Sequence, residues 1–271
     1  LLCIVVFGIM LITMPMYKNV QSKLDAVTSA TRQNLAGVRV LRAFCKEQEE
    51  EEDLFDFGLD GIDIDWEYPT SSAANISSSP DDTENFTLLM RDIRQAIGKD
   101  KLLTLASVSS AQYINFRDIL NDIDFVNIMS YDMANAPKHH SGLYRSSITG
   151  WLTCDEAVKA HIDAGVPVGR LVMGMPFYGR GGKLLSNRDY RDIDFDGEYI
   201  EQWNDTAKVP YLINKEGTMV LGYENVRSLS IKCEYILEKG LLGGMYWEYA
   251  ADNDNADLAR TVYEGIMKSS K

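Results

Sequence analysis

The chain has 271 residues, with 40 acidic and 27 basic side chains and a formal net charge of −13. Hydrophobic residues at 45% and charged residues at 25% are globular values, which exclude a disordered or collagen-like chain. The acidic balance also argues against a nucleic-acid partner, because no broad basic face is available to a phosphate backbone. Cys3, Cys45, Cys154 and Cys233 are far apart and form no CxxC pair. They read as free thiols, and neither they nor the three histidines show a zinc spacing, so no metal site is expected.

Residues 1–16, LLCIVVFGIMLITMPM, are apolar and uncharged. A membrane helix needs about 20 apolar residues, so this stretch reads as the second half of one, with membrane association through residues 1–16. Lys18, Lys23, Arg32, Arg39, Arg42 and Lys46 follow it, which places that flank on the cytoplasmic side. Residues 17–53 then read as a long polar helix ending in an acidic run. The segment Asn34-Leu-Ala-Gly-Val-Arg39 with Arg42-Ala-Phe44 resembles the stretch after a membrane helix in ABC-type exporters. A generic amphipathic helix is the competing reading. No GxxxxGK[ST] occurs, so no nucleotide site accompanies the resemblance.

The character changes near residue 55, which divides the chain into a helical segment, 1–55, and a second domain, 56–271. In the second part strand-like runs alternate with amphipathic helices. The strands are predicted at Leu59–Trp66, Leu102–Ser109, Phe125–Tyr131, Leu171–Tyr178 and Gly243–Tyr249. The helices are predicted at Asp82–Ile97, Ile114–Asn121, Asp155–Ala164, Val226–Glu238 and Asn255–Met267, with Asp82 as an N-cap and Gly165 and Gly240 as stops. Such alternation implies an α/β fold with a parallel sheet.

The informative string is Asp60-Gly-Ile-Asp-Ile-Asp-Trp-Glu-Tyr-Pro69. Side chains alternate along a strand, so Asp63, Asp65 and Glu67 share one face while Ile62, Ile64 and Trp66 share the other. The apolar face can be buried, but three carboxylates in an apolar core would cost too much, so they must line a polar site. Crowded carboxylates repel one another, and protonating one is the cheapest relief. A carboxyl protonated near neutral pH suits general acid catalysis, and Glu67, at the C-terminal end of the run, is best placed to meet a substrate. A calcium loop does not fit the spacing of Asp60, Asp63 and Asp65. Asp192-Ile-Asp-Phe-Asp-Gly197 comes nearer, but its twelfth position is Trp203, so it reads as an acidic loop.

DGIDIDWEYP resembles the DxxDxDxE signature of family-18 glycoside hydrolases, the chitinase family. Asp124-Phe-Val-Asn-Ile-Met-Ser-Tyr-Asp132, Pro176-Phe-Tyr-Gly-Arg180 and Gly243-Gly-Met-Tyr-Trp-Glu248 resemble later segments of that family, in its order. The resemblance implies a (β/α)8 barrel, here represented by strands four to eight after an N-terminal helical segment. It implies Glu67 as the proton donor, Asp65 as the holder of the substrate acetamido group with Asp63 as its deeper partner, and Tyr131 as a donor to the acetamido oxygen. It implies Met129, Asp132, Tyr178 and Arg180 along the sugar sites and Trp247 beneath the cleaved sugar. The expected partners are chitin or N-acetylglucosamine oligosaccharides, and no cofactor is expected. The reaction is a retaining, substrate-assisted hydrolysis, one of the exceptions to the two-carboxylate scheme.

Family members of this kind are expected outside the cell, whereas the exporter-like segment implies a cytoplasmic side. Three alternatives follow: a carbohydrate-binding relative that does not turn over, a non-functional chimeric fragment, and a membrane-transport component resting on residues 1–53 alone. With five of eight strands, the catalytic strand is expected at a sheet edge.

Overall fold

Alternation along Gly61–Ile64 decides which way the first strand faces. The computed structural model describes residues 58–195 and 197–268. In chain order the elements begin with β1 (Gly61–Ile64), α1 (Asp82–Ile97), β2 (Leu102–Val108), α2 (Phe116–Ile119), β3 (Phe125–Met129), α3 (Cys154–Asp163) and β4 (Leu171–Pro176). Five short strands follow before the next α-helix: β5 (Tyr178–Gly179), β6 (Arg188–Asp189), β7 (Ile200–Asn204), β8 (Val209–Ile213) and β9 (Met219–Gly222). The chain then continues through α4 (Val226–Lys239), β10 (Gly243–Trp247) and α5 (Asp257–Tyr263), which runs into a π-helical turn at Glu264–Lys268.

The central sheet is parallel and five-stranded, in the order β1-β2-β3-β4-β10. Its register sorts side chains onto two faces. Ile62, Ile64, Leu103, Leu105, Val126, Ile128, Leu171 and Met173 share one face, where all but the two residues of β1 are buried. Each such side chain contributes roughly 1.5–3 kcal/mol on burial. Trp66, just past β1, extends this contact toward Phe86 of α1, with ring centroids 6.0 Å apart. The opposite face carries Asp63, Thr104, Phe125, Asn127, Met129, Val172, Gly174 and Met245. Gly61 lets β1 approach β2, because a Cβ there would lie 2.2 Å from the Leu102 carbonyl oxygen.

The helices follow from their caps. Thr153 and Glu156 form a capping box on α3, and Asn225 and Ser228 form one on α4. Gly240 ends α4 in the left-handed conformation and Gly165 follows the end of α3, as predicted. The α1 cap is Asp81 rather than Asp82; Asp82 is the first helical residue, and its carboxylate takes the Ser79 N–H at 2.6 Å. Arg94 of α1 ties the N-terminal ends of β2 and β3 together. It donates to Asp124 Oδ2 at 2.6 Å, and that oxygen also accepts the Leu103 N–H at 2.7 Å.

Strand-helix alternation missed one element. Between β4 and α4 the chain forms a three-stranded antiparallel sheet, β7-β8-β9, and the small β5-β6 pair. Strands β1 and β3 are also shorter than predicted: Asp65 and Glu67 lie beyond the end of β1, and Tyr131 lies beyond β3. Among the described residues, β1 and β10 are the sheet's edges, and no helix is long and apolar enough to cross a membrane. The predicted segment 1–55, with its membrane-like and exporter-like parts, lies outside the described residues. Cys154 and Cys233 are free and buried, as expected.

Candidate active site

The site is built where β1, β2 and β3 release their chains. Asp63 is the only member of the acidic triplet inside a strand. Thr104 of β2 donates its hydroxyl to Asp63 Oδ1, and Asn127 of β3 donates its amide to the same oxygen at 3.0 Å. Both donors were overlooked in the sequence, although each is a polar residue whose parity puts it on the acidic face of an otherwise apolar strand.

Asp65 stands between Asp63 and Glu67. Its carboxyl is pushed up to about 6, first by partial burial and then by repulsion from Glu67 and Asp63. The residue as a whole remains exposed on the open face, so solvent screens part of both effects. Partial burial and crowding thus raise the carboxyl of the triplet's middle member. Tyr68 follows Glu67 and stacks on Tyr113 with centroids 5.4 Å apart. Burial pushes its hydroxyl up, and the adjacent Glu67 carboxylate adds to the shift by hydrogen bond and charge.

Tyr131 joins this cluster from the end of β3. Burial raises its hydroxyl, and Asp65, Asp132, Glu67 and Asp63 all add to the shift. Its ring lies over Gly174 of β4, where a Cβ would stand 2.8 Å from Tyr131 Cε1, and it meets Tyr178 edge-on at 6.3 Å. Asp132 has φ 58, in the left-handed region. It accepts the Tyr178 hydroxyl at 2.7 Å and pairs with Arg180 at 3.1 Å. Burial works against the Asp132 charge, but hydrogen bonds and nearby charge, the Tyr178 hydroxyl and the Arg180 guanidinium among them, hold its carboxyl below the usual range.

The structure thus gathers Asp63, Asp65, Glu67, Tyr131 and Asp132 into one electrostatic neighbourhood, with Tyr178 and Arg180 attached through Asp132. Met129 and Trp247 reach the same end and face of the sheet by strand register: Met129 closes β3, and Trp247, 55% exposed, pairs with Pro176. Among the described residues, no three His, Cys, Asp or Glu side chains are placed to hold a metal ion. Chemically, the cluster offers three neighbouring carboxyl groups, the middle one raised, beside phenolic donors.

A parallel α/β sheet presenting an acidic cluster beyond its strand ends is an arrangement suited to glycoside hydrolysis. The family model for glycosyl hydrolases family 18 matches residues 20–252, and the chain belongs to that family. The match overlaps the segment likened to exporters over residues 20–55. Chitinase A1 of Niallia circulans is 34% identical, over 84% of this chain and 38% of that protein. Chitinase B of Serratia marcescens is 30% identical, over 75% of this chain and 56% of its own length. A family 18 N-acetylglucosaminidase of known structure from Paenibacillus barengoltzii has a TM-score of 0.74 at 29% identity, over 81% of this chain and 74% of that one. The chain therefore spans about two fifths to three fifths of these two curated relatives.

Proposed function

We propose that this chain hydrolyses β-1,4 bonds in chitin or N-acetylglucosamine oligomers with retention of configuration. The observation that carries the reading is the cluster of Asp63, Asp65 and Glu67 near Tyr131, in which the middle carboxyl is raised and Glu67 stands at the outer end of the run. Glu67 gives its proton to the glycosidic oxygen. The substrate's own acetamido oxygen attacks the anomeric carbon, with Tyr131 donating to that oxygen and Asp65 holding the acetamido N–H. Water then opens the resulting ring, and Glu67 takes a proton back from it. Met129, Asp132, Tyr178 and Arg180 line the sugar sites, and Trp247 supplies the apolar floor. The chemistry uses no metal or organic cofactor.

In the same reading the five parallel strands are strands four to eight of a (β/α)8 barrel, within a domain spanning residues 56–271. The edge position of β1 favours one second reading, a chitinase-like binder that holds oligosaccharide without cleaving it, because an edge strand gives the acid less support.

Cleavage of chitin oligosaccharides by the full chain and by Glu67→Gln separates the two. Removing a general acid is expected to lower kcat by roughly 10²–10⁴-fold, with the product's anomeric form, read by proton NMR, matching the substrate's. Equal rates for the two proteins would defeat the hydrolase reading.

A further inference from the structure

Behind Asp132 lies a chain of buried polar groups that the hydrolytic reading leaves unused. The His140 side chain is 1% exposed. Its Nδ1 accepts the Asp132 backbone N–H at 3.4 Å and stands 3.7 Å from Asp132 Oδ1, beyond hydrogen-bond range. A neutral ring whose Nδ1 accepts must carry its proton on Nε2. That Nε2 is buried without a partner, and so is Glu224 Oε2. The Glu224 carboxylate is near enough to act on the ring electrostatically. A single buried water between them, accepting from Nε2–H and donating to Oε2, satisfies both.

Glu224 is itself anchored. Its Oε1 accepts Lys232 Nζ at 2.5 Å and Ser141 Oγ at 2.5 Å, and Lys232 also donates to the Ser141 carbonyl at 2.6 Å. Both charged side chains are fully buried. The far end of the chain needs such support, since a left-handed backbone is strained in a residue other than glycine. The backbone of residue 140 contributes as well: its carbonyl accepts the Met133 N–H at 3.0 Å.

We propose that His140 is a positioning residue: Glu224, fixed by Lys232, holds the ring through Nε2, and Nδ1 holds Asp132 in the left-handed turn that aims Tyr131 and Asp132 into the site. The hydrolase reading enters only in what those two residues touch. The charged or titratable groups around the ring are Asp132, Glu224, Lys232, the adjacent His139 and Tyr178, whose ring centroid lies 5.6 Å away.

The chain has three histidines, so nitrogen-15 NMR can assign each ring by substitution. The Nε2–H tautomer is expected for His140 at neutral pH. In His140→Ala, kcat should fall by about tenfold or more with KM little changed, because the loss is one of aim. His140→Asn places an oxygen where Nδ1 stood and should restore kcat to within about threefold of wild type. An Nδ1–H tautomer, or a lower melting temperature with kcat intact in His140→Ala, would overturn the assignment. A wild-type chain that cleaves nothing would defeat the hydrolase reading, while the tautomer measurement would still decide the role of His140.

Discussion

The Thr104 hydroxyl and the Asn127 amide donate to a single oxygen of Asp63 from two successive strands. This convergence fixes where the Asp63 carboxylate sits beside Asp65, and so how strongly the two repel. Asp63→Asn keeps the shape and removes the charge. The Asp65 midpoint, pushed up to about 6 in the intact protein, should move down toward the ordinary carboxylate value while staying above it, because burial, the larger cause, remains. A carbon-13 titration of the side-chain carboxyls checks this, and a midpoint that holds or rises would remove Asp63 from the account.

Gly174 controls Tyr131 from below. A methyl group there would meet the Ile128 carbonyl oxygen at 2.3 Å and Tyr131 Cε1 at 2.8 Å, so β4 must shift or the tyrosine ring must tilt. Gly174→Ala is expected to cost about 1–3 kcal/mol of stability through overpacking. It should also lower kcat by at least about tenfold through misplacement of the Tyr131 hydroxyl. Urea melts and oligosaccharide turnover on the same preparation test both parts. Unchanged turnover would mean that the Tyr131 ring is not held by this contact.

Stability should fall in acid because of histidines away from the carboxylate cluster. His161 on α3 bonds to Ser107 Oγ at 2.9 Å and to the Ala157 carbonyl oxygen at 2.8 Å. Burial pushes it down to about 4, and burial with the nearby His140 and Lys232 does the same to His139. A histidine that is neutral when folded binds fewer protons than in the unfolded chain, where its midpoint is near 6.5. Stability is therefore complete above pH 6.5 and lost as pH drops toward 4, by at most roughly 3 kcal/mol for each of the two. Asp65 acts in the opposite sense, but it is exposed and contributes less. Urea melts at pH 7 and pH 5 should show the loss, and His161→Gln should narrow the gap between them. Equal stabilities at the two pH values in the intact protein would contradict the argument.

The antiparallel sheet β7-β8-β9 escaped prediction for a local reason. Its middle strand contains Pro210, opposite Trp203, and a proline inside a run argues against a central strand. Gly217, with φ 78 in the turn that closes β8 onto β9, was the available signal. The length of β1 was overestimated because the alternation of acidic and apolar residues continues past the last ladder bond.

What the sequence determined by itself was facing. With a period of two, Asp63 and Asp65 must oppose Ile62 and Ile64, and the apolar runs of β2, β3 and β4 must lie under helices, since burying carboxylates there would cost too much. Tertiary structure alone decided which neighbours those carboxylates acquired. Thr104, Asn127 and Tyr131 lie 41 to 68 residues from Asp63 in the chain, and only the parallel register and the turn after β3 bring them to it. The protonation pattern follows from that arrangement, because a pKa depends on distance and burial, which residue order alone does not specify.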